Sequence, residues 1–259
     1  MSIFITNGVH LYYEVSGEGI PLLFIHPPLL TGTNFAYQQK NLADRCRIIT
    51  VDLPGHGRSS ISPEPFTYDM VASILVNLLS HLCIDQAVVV GYSTGAEIAC
   101  HMMITYPDRI KAGVLLSGMP NTKDSALQRN IKMAVFMAKR GSFLALATSI
   151  CFSNANNPVT FALLLREALK GDPDTIASYY AYSLQYDCSH QLHRIKQPVL
   201  LLVGETDKRY ARFGKYMSHV LPNSWIRSIP RVAHQLPTKT YQEVNLLLQQ
   251  FLHTVSLLP

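Results

Sequence analysis

Short runs of Val, Ile and Leu recur along this chain with amphipathic stretches between them, and that alternation limits the folds open to it. Candidate strands are Ile3–Thr6, Leu11–Val15, Leu22–Ile25, Arg47–Val51, Ala87–Val90, Gly113–Leu116, Val199–Val203 and Trp225–Ile229. Asn7-Gly8, between the first two, is a hairpin signal. The later runs are continuous apolar strings, the pattern of parallel strands covered on both faces. Helical spacing marks Met70–Leu82, Ala96–Tyr106 and Tyr241–Val255. Strand–helix alternation predicts an α/β protein: a mostly parallel, eight-stranded sheet with helices on both faces.

The rhythm breaks between Met119 and Gln197. Here the chain offers helix-like segments, Ala126–Lys139, Phe143–Phe152, Val159–Leu169 and Asp174–Tyr186, and proline punctuates both ends, at Pro120 and Pro198. We expect residues 1–118 and 198–259 to form one core and residues 119–197 a helical cap inserted over one end of the sheet. A length of 259 residues suits one principal core with an insertion.

With 48% apolar and 15% charged residues, the chain is too greasy and too sparsely charged to be disordered. The net charge is +5, but Lys and Arg are scattered, with Lys139-Arg140 and Lys208-Arg209 as pairs and no longer basic run, so no nucleic-acid partner is expected. Five cysteines without C-x-x-C spacing imply neither a disulfide framework nor a zinc site, and no H-x-x-x-H or H-E-x-x-H spacing points to a metal. No cofactor is expected. The opening MSIFITN has neither a basic head nor a long apolar core, and no stretch is long and apolar enough to span a membrane. A cytoplasmic protein is the expectation.

The sharpest local feature is Gly91-Tyr92-Ser93-Thr94-Gly95, between a strand and a helix. A turn this tight needs small flanking residues and lifts the Ser93 hydroxyl above the strand's carboxyl end, where the next helix's free N–H groups favour a developing anion. A serine needs a base, and the base a carboxylate to orient it. Asp207 follows the strand Val199–Val203, and His234 follows Trp225–Ile229. Both would stand at the same sheet edge as Ser93. Glu205 is the alternative acid, whereas Asp187 precedes its strand and falls towards the wrong end.

With these residues in view, the chain resembles the α/β-hydrolase superfamily over nearly its whole length. Asp52-Leu53-Pro54-Gly55-His56-Gly57-Arg58-Ser59 is similar to the family's D-x-x-G-x-G-x-S loop, PVLLLVGETD (198–207) to its acid-bearing strand, and Ala233-His234 to its histidine loop. The resemblance implies Ser93 as nucleophile, His234 as general base then acid, Asp207 as orienting carboxylate, and the 119–197 insertion as the cap shaping the substrate pocket. It also implies an oxyanion hole, with Thr94 N–H as one donor. The second family donor falls in His26-Pro27-Pro28-Leu29, where Pro28 has no N–H. Either the Leu29 N–H takes over through a shifted loop, or the hole has one backbone donor. His26 is expected to order this loop rather than act as a base.

The insertion is rich in Phe, Met, Leu and Tyr, so the expected ligand is a small apolar or acyl molecule. The expected activity is carboxylesterase-like serine hydrolysis through an acyl-enzyme. The alternatives are a C–C bond hydrolase, a lactonase or a cofactor-free haloperoxidase of the same fold, or a ligand-binding protein of this fold with slow or no turnover.

Overall fold

The computed structural model describes residues 2–258. The strands are β1 (Ser2–Thr6), β2 (Val9–Ser16), β3 (Ile20–Ile25), β4 (Cys46–Val51), β5 (Ala87–Tyr92), β6 (Ile110–Leu116), β7 (Val199–Gly204) and β8 (Ser224–Ile229). They form one sheet in the order β1-β2-β4-β3-β5-β6-β7-β8. β1 and β2 pair antiparallel through a turn with Asn7 and Gly8 both at positive φ, 49° and 74°, as the hairpin signal requires. β2 meets β4 antiparallel, and every pairing from β4 to β8 is parallel. Each expected strand is present. β6 starts three residues before the expected Gly113, because Lys111 interrupts its apolar string.

The helices are α1 (Ala36–Leu42), α2 (Tyr68–His81), α3 (Gly95–Thr105), α4 (Ser125–Lys139), α5 (Phe143–Asn154), α6 (Pro158–Ala168), α7 (Pro173–Gln185), α8 (Lys208–Val220), α9 (Leu236–Lys239) and α10 (Tyr241–Thr254). Strand side chains alternate between two cores. Leu22, Phe24, Val88 and Val90 face α10 and the inserted helices, whereas Leu23, Ile25 and Val89 face α2 and α3. A strand buried on both sides must be apolar at every position, hence the unbroken strings. Each such Leu or Val contributes about 1.5–3 kcal/mol on burial.

Two features position the site. The chain leaves β3 towards β4 on one side and reaches β5 on the other, so the loops after β3 and β5 diverge and open a crevice at the strands' carboxyl ends. The inserted helices α4 to α7 are also tied to the core. The Asp172 N–H donates to Gly55 O at 2.8 Å, Arg58 reaches Glu167 at 3.5 Å, and the buried Tyr92 hydroxyl donates to Asn154 Oδ1 at 2.9 Å. Losing Asn154 would strand a buried hydroxyl, at a cost of about 1–3 kcal/mol.

Candidate active site

β5 ends in the tight turn that its glycines permit. Ser93 sits at φ 55°, a left-handed conformation that costs a non-glycine residue roughly 1–3 kcal/mol. A Cβ on Gly91 would lie 2.5 Å from the Ala96 Cα, and one on Gly95 would lie 2.2 Å from the Ile25 carbonyl oxygen. Both glycines are therefore required by close backbone approach, one to α3 and one to the end of β3. The Ser93 N–H donates to Leu116 O at 2.9 Å, fixing the turn to β6.

The His234 loop is stitched to the loop after β7. Thr206 N–H donates to Val232 O at 3.0 Å, Ser117 Oγ donates to His234 O at 3.0 Å, and Gly204 packs so tightly that a Cβ there would meet Ala233 O at 1.8 Å. This sets His234 Nε2 3.0 Å from Ser93 Oγ. Asp207 stands beside them with divided duties. Its Oδ1 caps α8 by accepting from the Tyr210 N–H at 3.2 Å, while its Oδ2 lies 3.7 Å from His234 Nδ1, beyond hydrogen-bond length. His234 Nδ1 is buried without another partner among the described residues. Glu205 is exposed, and its Oε2 accepts from the Arg231 N–H at 3.1 Å. Asp187 pairs with Lys123 at 2.8 Å.

The loop after β3 is built on its histidine. His26 Nδ1 contacts Pro27 O at 2.9 Å, and its Nε2 accepts from the Leu53 N–H at 2.9 Å, which together select the Nδ1–H tautomer. Asp52 holds the loop's other end, accepting from the Gly32 N–H at 3.0 Å while Arg58 neutralises it at 2.9 Å. Between these anchors Pro28 and Leu29 make a turn with Leu29 at φ 73°. The Leu29 side chain is buried in the core, while Pro27, Pro28 and Leu30 line the cavity. Among the described residues, neither the Thr94 nor the Leu29 amide is engaged by a protein acceptor.

Three histidines here are held neutral. Burial pushes His26 down to about 4. It pushes His56 down to about 3, with the facing His26 ring, 5.1 Å away, adding to the effect. Burial, then the charge of Arg209, pushes His234 down to about 3. Unfolded, each imidazole takes a proton below about 6.5, while the folded form refuses it. Stability is therefore complete above that value and lost as pH falls towards 4, by about 1.4 kcal/mol per pH unit for each histidine. Any base function of His234 persists until the fold gives way, so the acid limb of activity is expected to coincide with loss of the circular-dichroism signal. An activity midpoint near the ordinary imidazole value in fully folded protein would contradict this.

Ser93, Thr94, His234 and Tyr210 open on a cavity of about 170 Å³. Leu127, Ile131 and Ala134 of α4, Ile150 of α5 and Tyr180 of α7 roof it, and among the described residues no Asp, Glu, Lys or Arg lines it. Tyr210 is absent from the sequence expectations, as is the whole of α8, because Lys208, Arg209 and Arg212 mask its buried stripe of Tyr210, Phe213, Gly214 and Met217. The helical spacing of that stripe was the available signal. Tyr210 lines the cavity beside Ser93, its ring centroid is 4.1 Å from that of His234, and burial raises its pKa, keeping it a proton donor.

This sheet order, the glycine-flanked turn and the serine–histidine contact fit one fold class, and the family model described as alpha/beta hydrolase fold matches residues 20–225. The chain belongs to the alpha/beta hydrolase fold family. It is 26% identical to Protein PHYLLO, chloroplastic, of Arabidopsis thaliana over 93% of this chain but only 16% of that protein. It is 28% identical to the pimeloyl-[acyl-carrier protein] methyl ester esterase of Chromobacterium violaceum, covering 87% of this chain and 91% of the relative. A thermophilic esterase from Thermogutta terrifontis superimposes with a TM-score of 0.85 at 24% identity, over 98% of this chain and 97% of the other. Other relatives include a bifunctional esterase/perhydrolase of Acinetobacter calcoaceticus, 26% identical over 96% of this chain and 98% of the relative.

Proposed function

We propose that the protein is a cofactor-independent serine esterase acting on small, neutral, largely apolar esters. The observation that carries this reading is the 3.0 Å contact between Ser93 Oγ and His234 Nε2 at the floor of an uncharged cavity. Ser93 Oγ attacks the ester carbonyl as His234 takes its proton, and the Thr94 N–H, with the Leu29 N–H as the second donor of the proposed hole, receives the oxyanion. His234 then protonates the leaving alkoxide, which departs as alcohol. The same imidazole deprotonates a water that cleaves the acyl-enzyme, releasing the acid and restoring Ser93. Asp207 orients His234, and closing its gap to the imidazole is part of forming the substrate complex. Helices α4 to α7 serve as the cap, and its apolar roof selects acyl or aromatic groups of modest size over charged ones.

Tyr210 stands on the imidazole side of Ser93, where the leaving oxygen departs, and donates a hydrogen bond to that oxygen. Tyr210→Phe is expected to slow alkyl esters about tenfold while p-nitrophenyl esters, whose leaving group needs no such help, change little. Equal slowing of both series would assign Tyr210 to packing alone.

The 3.7 Å separation of Asp207 from His234 favours a second reading, a ligand-binding protein with slow turnover. Pre-steady-state kinetics separates the two. The esterase reading expects a stoichiometric burst of alcohol, then steady turnover, with the acyl group on Ser93 by mass spectrometry. Saturable binding of an apolar ester without release of alcohol would replace it with the second.

A further inference from the structure

The helices that roof the cavity with one face leave another unlike the rest of the surface. On α4 and its C-cap, Arg129, Lys132, Met133, Phe136 and Arg140 fall on one outward stripe, while Leu127, Ile131, Ala134 and Ala138 face inward. The adjoining α5 (FLALATSICFSN) carries no charged residue, and its outward stripe includes Leu144 at 60% and Phe152 at 73% exposure. Phe136 is 58% exposed. A helix face with exposed Phe and Leu and no charge is uncommon on a protein surrounded only by water.

The charge is as uneven as the apolarity. Residues 125–157 hold four basic side chains, Arg129, Lys132, Lys139 and Arg140, and no acidic one, so the other residues carry 18 Lys and Arg against 17 Asp and Glu. Four of the five net positive charges thus fall within this segment. All four cations are exposed, and among the described residues none reaches a carboxylate within ion-pair distance. Beside Phe152 opens a surface groove of about 400 Å³ with Phe161 and Pro158 in its wall and Lys239 at its edge.

We propose that the outward face of α4 and α5 docks on an anionic lipid bilayer, with Phe136, Leu144 and Phe152 entering the acyl boundary and the four cations meeting lipid phosphates and carboxylates. Apolar side chains set among Lys and Arg match an interface that is greasy a few ångströms below a negative surface. A second copy of this chain is a poorer occupant, because two such faces repel. Among the described residues no helix is long and apolar enough to cross a membrane, and the contact proposed is a peripheral one. Docking brings the roof of the catalytic cavity to the lipid, where small apolar esters concentrate. That last consequence rests on the esterase reading, whereas the docking itself does not.

The test is flotation of the full chain, and separately of its Ser93→Ala variant, with vesicles of phosphatidylcholine alone or with phosphatidylserine as roughly a third of the lipid. Both proteins are expected to float with the serine-containing vesicles and not with pure phosphatidylcholine. K132E/R140E and F136S/F152S are each expected to lower that partitioning about tenfold or more, with soluble p-nitrophenyl acetate turnover unchanged in both. Absence of binding to the anionic vesicles overturns the proposal. So does binding that F136S/F152S leaves intact, which would reduce the face to a charge patch. Self-association that F136S/F152S abolishes would give the face to a second copy instead. Loss of turnover in Ser93→Ala with flotation retained, or the reverse, separates the fate of the docking surface from that of the esterase reading.

Discussion

Replacing Ser93 by Ala is expected to lower ester turnover by on the order of 10⁵-fold while the protein stays folded. The proposed mechanism gives every covalent step to one oxygen, so no neighbouring group stands in for it. Thr94 is a hydroxyl on the same turn, but it is the amide of that residue that faces the cavity's chemistry in the proposed scheme. The residual rate would come from the cavity and the remaining donors acting on water. Ser93 is 8% exposed and already in a left-handed conformation, which alanine adopts at similar cost, so thermal stability should change little. Turnover of p-nitrophenyl butyrate, with circular dichroism of both proteins, checks the expectation. Near wild-type turnover in the variant would remove Ser93 from the chemistry.

Gly204→Ala is expected to cost at least about a hundredfold in kcat without touching a reacting group. The added methyl would stand 1.8 Å from the Ala233 carbonyl oxygen, whereas real Cβ atoms keep at least 3.0 Å. The obstacle is backbone, so the whole loop must retreat by more than an ångström. His234 is the next residue in that loop, and its Nε2 now stands 3.0 Å from Ser93. A displacement of this size takes the imidazole out of line with the hydroxyl, and misplacement by about 1 Å is worth roughly 10² in rate. Some stability is lost too, because the Thr206-to-Val232 hydrogen bond belongs to the same seam. Steady-state kinetics below the variant's melting temperature isolates the catalytic part. An unchanged kcat would mean the loop accommodates the methyl elsewhere.

The sheet was legible because parallel strands buried on both faces leave apolar strings, as in β5 and β7, and all eight candidate runs are strands, although β1 and β2 pair antiparallel and most of β8 is not buried. The glycine-flanked Ser93 turn was legible because backbone crowding at Gly91 and Gly95 restricts the residue types that fit. What stayed hidden is contact between distant segments. Nothing near Lys208 indicates that Tyr210 packs against the His234 ring and lines the cavity, since that follows from how Asp207 caps α8 and where β7 ends. Nothing near Asp207 indicates that one of its oxygens serves the helix and the other lies 3.7 Å from the imidazole. The left-handed turn at Leu29 carries no glycine to announce it. Charge was the most misleading guide. Lys and Arg look scattered along the chain, yet spacings of three and four gather Arg129, Lys132 and Arg140 on one side of α4.

The most direct measurement is to label the purified protein with a fluorophosphonate and map the modified residue by mass spectrometry, in the wild type and in His234→Ala. A phosphonyl adduct on Ser93 that all but disappears without the imidazole is the outcome expected of an activated nucleophile. An adduct on another residue, or equal labelling of Ser93 in both proteins, would contradict the account.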